Sequence, residues 1–149
     1  MTDEDFMQKA IEVGRTNRQH PFGAIIMDRL SDAVLAEGVN QSRSNPLWHG
    51  EIVAINNCAM QLADVNWSSL TLFTTAEPCP MCMSAILWCG FDSVVFGTSI
   101  PTLIGLGWNQ INIRATEVVQ RSHRPQTSVI RGVLESECDQ LFRTALKPR

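Results

Sequence analysis

The chain has 149 residues, 44% of them hydrophobic, which is enough to bury a core and suits one compact domain over 1–149 rather than two. A formal charge of -3 excludes any general attraction to phosphate backbones or anionic lipid. No apolar run approaches the roughly 20 residues that span a bilayer, and the acidic start Met1-Thr2-Asp3-Glu4-Asp5 is unlike a secretory signal, so no membrane partner and a cytoplasmic location are expected.

Thr2 followed by Asp5 makes a capping-box pattern with Asp in place of Glu, and Phe6, Ala10, Ile11, Val13 and Gly14 follow at helical spacing to about Arg18. Phe22 to Met27 is a short apolar run, Asp28 to Asp32 is polar, and Ala33 to Val39 is a second run, which predicts two strands joined by a hairpin. After the turn-rich stretch Ser42 to Pro46, Gly50 to Leu62 carries Ile52, Val53, Ile55, Cys58, Ala59 and Leu62 on one helical face, with His49 and Glu51 at its start. Leu70 to Thr75 reads as a buried strand running into a turn at Pro78. Pro80 lacks an N–H that a first helical turn would leave unpaired anyway, so a helix is expected from Pro80 to Cys89, stopped by Gly90. Asp92 to Gly97 and Thr127 to Gly132 complete five strands, and Glu135 to Leu146 forms a closing helix. The stretch from Thr98 to Arg124 is the least patterned, with short helices at Pro101 to Leu106 and Arg114 to Gln120 and breaks at Gly105 and Gly107.

Five cysteines is an odd number, and two of them form Cys79-Pro80-Met81-Cys82 thirty residues after His49, so metal ligation explains them better than a disulfide framework. Cys58, Cys89 and Cys138 are expected to be plain buried thiols. His49, Cys79 and Cys82 supply three ligands to zinc and leave a tetrahedral ion one open position for water, as catalytic sites require. Neither His20 nor His123 stands at a spacing that suggests a fourth ligand. Both ligand groups fall at helix starts, where unpaired backbone N–H groups carry about half a positive charge and stabilise thiolates. Two thiolates and a neutral imidazole cancel the charge of the ion, so a nearby carboxylate must help to activate water. Glu51, two residues after His49 and not needed as a ligand, is the candidate proton carrier. The chemistry implied is hydrolysis at an amidine-like carbon. The competing reading is a zinc-stabilised module without activity, which would have no reason to place Glu51 beside a ligand.

His-x-Glu at one helix start, a strand, and Pro-Cys-x-x-Cys at the next helix start is the pattern of zinc nucleobase deaminases. Together with Pro21-Phe22-Gly23-Ala24, Glu77-Pro78-Cys79-Pro80-Met81-Cys82 and Gly132-Val133-Leu134-Glu135-Ser136-Glu137-Cys138, the chain resembles the cytidine deaminase-like superfamily over nearly its whole length. Within it the guanine deaminase and tRNA adenosine deaminase branch is the most similar. The resemblance implies an α/β fold, a three-layer α/β/α sandwich with a five-stranded mixed sheet. It also implies one Zn²⁺ per subunit and a homodimer, often with the active site at the interface.

Position by position, the resemblance makes His49, Cys79 and Cys82 the zinc ligands and Glu51 the proton shuttle. It gives Asn40 a hydrogen bond to substrate, puts Phe22 and Ala24 at the pocket edge, and matches Trp88 to a tryptophan that follows the second zinc cysteine in guanine deaminases. On local grounds alone, Asn40 reads as a turn residue and Trp88 equally well as a buried helix tryptophan. Gly50 replaces the alanine of the usual His-Ala-Glu and resembles the His-Gly-Glu of fungal cytosine deaminase. It is expected to leave ligation intact while freeing a backbone amide or pocket volume near the substrate. Ser99 to Gln110 lacks the Lys-Thr-Gly-type stretch of the tRNA enzymes. The expected substrate is therefore a free nucleobase or nucleoside, guanine- or cytosine-like, as in purine metabolism. The second candidate is a flipped-out adenosine of a tRNA anticodon loop, for which Arg114, Arg121, His123, Arg124 and Arg131 offer a basic cluster.

Overall fold

The structure, a computed structural model, describes residues 1–146. Helix α1 (Asp3–Gly14) starts on the expected capping box: Thr2 accepts from the Asp5 N–H at 3.2 Å and the Asp5 carboxylate accepts from the Thr2 N–H at 2.8 Å. It ends four residues earlier than the apolar spacing suggests, at Gly14, which packs directly on Gly23 of the first strand. A Cβ on Gly23 would fall on the Gly14 backbone.

Strands β1 (Gly23–Asp28) and β2 (Val34–Val39) form the expected antiparallel hairpin. The register slips by one residue between Ile26 and Met27, and Asp32 turns the chain with a φ of 58°. β3 (Leu70–Ala76) pairs antiparallel with β1 and parallel with β4 (Ser93–Thr98), which pairs parallel with the short β5 (Ser128–Ile130). The sheet order is β2-β1-β3-β4-β5, a five-stranded mixed sheet.

Alternate residues of the central strands bury opposite faces. Ile25, Met27, Phe73 and Val95 pack with α1 and with Cys138 of α6 (Glu135–Arg143). Ala24, Ile26, Leu72 and Val94 pack with α2 (Gly50–Gln61), α3 (Pro80–Cys89) and α5 (Ala115–Gln120). That makes the expected three-layer sandwich. The β3-α3-β4 connection supplies one parallel crossover, and α4 (Ile100–Gly105) with α5 links β4 to β5.

One end of the sheet collects the chain segments of interest. Ala76 and Thr98 are paired at the C-terminal ends of β3 and β4, while Phe22 precedes β1 and Asn40 follows β2 at that same end. The C-terminal ends of parallel strands are where open α/β sheets leave crevices. No helix among the described residues is long and apolar enough to cross a membrane.

Candidate active site

His49 and Cys79 are the N-cap residues of α2 and α3, and Cys82 lies one turn further along α3 with Pro80 in the first helical position. Each cap backbone is extended and makes no side-chain cap hydrogen bond, so the imidazole and thiol are left to project from the helix ends. The His49 Nδ1 lies 3.4 Å from the Cys79 Sγ and 3.6 Å from the Cys82 Sγ, and the three donor atoms fall within 4.8 Å of one another. Nitrogen and sulfur ligands at their usual distances from one tetrahedral zinc ion lie about 3.6 Å apart. The donor set and its spacing therefore fit zinc. No other cluster of this kind occurs among the described residues.

The electrostatics favour a thiolate at Cys79. The Cys82 thiol beside Cys79, together with the imidazole, holds the Cys79 sulfur far below its usual range, at about 4. The hydrogen bond to Cys79 raises His49, and its negative neighbours with burial raise Cys82 well above a normal thiol. Glu51 is only 4% exposed. Burial, reinforced by the negative Cys79, pushes its carboxyl up to about 7, a value suited to exchanging protons near neutrality.

His49, Glu51 and Cys79 border a cavity of about 210 Å³. Phe22, Asn40, Trp108, Asn109 and Gln110 also line it, as do His20, Ser42 and Glu77. Asn40 lines the cavity and closes a turn, as its local reading requires. Its side-chain oxygen accepts from the Ser42 N–H at 3.0 Å and the Ser42 hydroxyl at 2.8 Å, closing a turn, and its NH₂ group has no protein partner among the described residues. Phe22 meets Trp108 edge to face at 5.3 Å, and the indole N–H donates to the Phe142 carbonyl at 3.3 Å. The cavity thus has one aromatic wall, two ligands, two buried carboxylates and several amides.

Two residues expected near substrate lie elsewhere, and a third has another role. Ala24 is fully buried in the core shared with α2 and α3, because strand residues alternate and its side chain points into the helix layer. Trp88 is neither in the cavity nor buried: it is 78% exposed and stacks on His123 at 5.0 Å in a separate groove between α3 and α5. Nine residues at about 100° each put it on the side of α3 opposite Cys79. Gly50 frees no pocket volume. It is a close-packing glycine: a Cβ there would fall on the Phe22 carbonyl oxygen. Gly38 makes the same approach to α2 from β2, where a Cβ would fall on the Ala54 backbone. Gly50→Ala is therefore expected to cost about 1–3 kcal/mol of stability and to weaken zinc binding, since α2 must back away from β1 and carry His49 with it. Thermal unfolding and zinc titration check this, and wild-type values in both would mean that the helix shifts freely.

Residue-pattern reasoning did not single out His20, Ser42, Glu77 or Trp108 to Gln110. Glu77 accepts from the Ile100 N–H at 2.9 Å, the Ala115 N–H at 2.8 Å and the Arg114 Nε at 3.0 Å. Its only sequence signal was its place in Glu77-Pro78-Cys79-Pro80-Met81-Cys82, one of the motifs that carry the family resemblance. The expected basic cluster is divided. Arg114 is paired with Glu77, Arg124 donates to the Gly90 carbonyl, and Arg121 and His123 lie by Trp88. All five cysteines are free thiols, with Cys58 and Cys138 buried and Cys89 partly exposed. Burial pushes Cys138 up to about 12.

A mixed sheet that gathers a His-Cys-Cys donor set and a buried glutamate at its parallel end defines a zinc-binding α/β domain of the deaminase class. Residues 1–98 match the model of the cytidine and deoxycytidylate deaminase zinc-binding region, and the chain belongs to that family. A probable cytosine deaminase of Schizosaccharomyces pombe is 34% identical over 107 residues, covering 70% of this chain and 65% of that protein, so the match spans just under two thirds of its length. A tRNA-specific adenosine deaminase of Haemophilus influenzae is 31% identical over 152 residues, covering 99% of this chain and 84% of that protein. Among solved structures, the guanine deaminase from Nitrosomonas europaea superposes with a TM-score of 0.83 at 24% identity, over 95% of this chain and 83% of that one. At that identity the likeness is one of fold.

Proposed function

We propose that this chain is a zinc-dependent aminohydrolase that deaminates a free nucleobase or nucleoside, guanine- or cytosine-like, and releases ammonia. The observation that carries the proposal is a buried Glu51 lining the same small cavity as His49 and Cys79, two of the three members of the zinc donor set that Cys82 completes. Zinc held by His49, Cys79 and Cys82 supplies Lewis acidity and makes water nucleophilic near neutral pH. Glu51 takes a proton from the attacking water and delivers it to a ring nitrogen. It then carries the second proton to the departing amine, so that a C–O bond replaces the C–N bond and ammonia leaves. Asn40 offers its NH₂ to a ring nitrogen or carbonyl of the heterocycle, and Phe22 and Trp108 close over an apolar edge. A cavity of about 210 Å³ lies below the range of drug-sized sites and suits one flat heterocycle. Five free thiols fit a reducing, cytoplasmic compartment.

A second reading, deamination of a flipped-out tRNA adenosine, is favoured by the near full-length match to the Haemophilus protein and by Arg121 and His123 beside an exposed aromatic. Against it stand the charge of -3 and the engagement of Arg114 by Glu77. Ammonia release from guanine, cytosine, adenine, their nucleosides and a tRNA anticodon stem-loop decides between them. Turnover on at least one free base or nucleoside is expected, and turnover on RNA alone would overturn the first reading.

The exposed Trp88, flanked by Leu87, Ile113 and Val118, supports a homodimer built on the α3–α5 face. Sedimentation equilibrium at twice the chain mass of 16.6 kDa is the expected result, and a single species at the chain mass would rule the dimer out.

A further inference from the structure

Glu77 ends the segment that leaves β3 and is followed by Pro78 and Cys79, so it belongs to the turn that carries a zinc donor. It is not itself in the donor set. Its side chain is 1% exposed, and a buried carboxylate costs several kcal/mol unless its oxygens are fully satisfied. Here they are. One oxygen accepts from the Ile100 N–H, the other from the Ala115 N–H, and the Arg114 Nε lies 3.0 Å from both. The Glu77 N–H in turn donates to the Thr98 carbonyl at 2.7 Å.

Ile100 and Ala115 are the first residues of α4 and α5. One carboxylate therefore closes the N-termini of both helices that bracket the connection from Leu106 to Arg114. That connection carries Trp108, Asn109 and Gln110, which line the cavity, and it turns at Gly107 with a φ of 88°. Neither helix is longer than six residues, so neither holds its place by length. On this geometry, the wall from Trp108 to Gln110 is tied to the donor-bearing turn through Glu77.

We propose that Glu77 is a positioning residue, which sets the Trp108–Gln110 wall against the zinc-ligand turn and thereby determines how tightly the heterocycle is held. The inference about binding rests on the deaminase reading, whereas the inference about the wall does not. Glu77→Gln keeps the side chain's size but replaces one acceptor oxygen by an NH₂ group, which faces N–H donors it cannot satisfy. In the zinc-loaded variant, backbone amides from 98 to 115 are expected to exchange with solvent at least about 10-fold faster than in the parent, while those of α2 and α3 keep their rates. Zinc stays at one per chain. KM for the best substrate rises at least about 10-fold and kcat changes by less than about 3-fold, the split expected for lost substrate holding rather than lost chemistry.

Arg114→Gln provides the second test. It removes the charged partner from a side chain that is 34% exposed, leaves both backbone donors in place, and is expected to shift the same amides and the same KM by a smaller factor. If Glu77→Gln does not fold, that variant decides on the same readings. Faster exchange throughout the molecule, or a fall in kcat that tracks zinc loss at unchanged KM, would overturn the proposal in favour of a general stabilising role. A parent protein that deaminates nothing on the panel would remove the functional reading yet leave the exchange pattern to be judged on its own.

Discussion

Glu51→Gln is expected to abolish ammonia release while the protein keeps one zinc ion per chain. The amide has the same shape as the carboxylate, so a site in which Glu51 is almost wholly buried should close around it without a cavity. Glutamine cannot take up or return a proton, and the loss of a positioned general acid–base typically costs about 10²–10⁴-fold in rate. In the proposed reaction both proton transfers pass through one group, so the upper end of that range is expected. The result is read as ammonia released alongside zinc content by mass spectrometry. Loss of metal would make Glu51 a ligand. Full zinc with undiminished turnover would move the proton carrier to another group, with His20, which also lines the cavity, a candidate.

Cys82→Ala is expected to have the largest effect on the metal and on stability. Cys82 is fully buried in α3, and its sulfur lies 3.6 Å from the His49 nitrogen, so its removal leaves two donors where a zinc site needs at least three. Metal that binds the folded form alone adds RT ln(1 + [Zn]/Kd) to stability, about 3 kcal/mol when free zinc is a hundred times Kd. Wild-type protein should show a clear fall in its unfolding midpoint on adding a chelator. Cys82→Ala should start near the lower value and not respond. If the variant bound zinc stoichiometrically, the donor set would have to be reassigned.

The elements that were legible in the residue pattern are those whose signals are local. α3 runs from Pro80 to Cys89 as expected, because proline in the first turn and glycine after the last residue are both backbone effects. The capping box of α1 and the hairpin of β1 and β2 are local in the same sense. The closing helix stops at Arg143, three residues short of the expected Leu146, and there the Leu146 N–H donates to the Arg18 carbonyl instead. The short helices between Thr98 and Arg124 exist nearly where expected, at Ile100–Gly105 and Ala115–Gln120. Their purpose was illegible, since it depends on a carboxylate more than twenty residues away.

Ligand identity and chemistry class follow from the sequence by itself. His49-Gly50-Glu51 and Cys79-Pro80-Met81-Cys82 place three zinc donors at helix ends and a proposed proton carrier beside them within short spans of chain, and the family match agrees with zinc binding. The shape of the cavity was decided only by the tertiary structure. Which face of α3 meets solvent put Trp88 outside the cavity, and the contact between α2 and the Phe22 carbonyl made Gly50 a packing residue rather than a source of space. Folding around Glu77 brought Trp108, Asn109 and Gln110 to the cavity edge. The division has a physical reason. Metal donors are chosen by atom type and helix-end position, which a short motif encodes, whereas a binding wall is set by distances between elements remote in the chain, which only packing and buried hydrogen bonds fix.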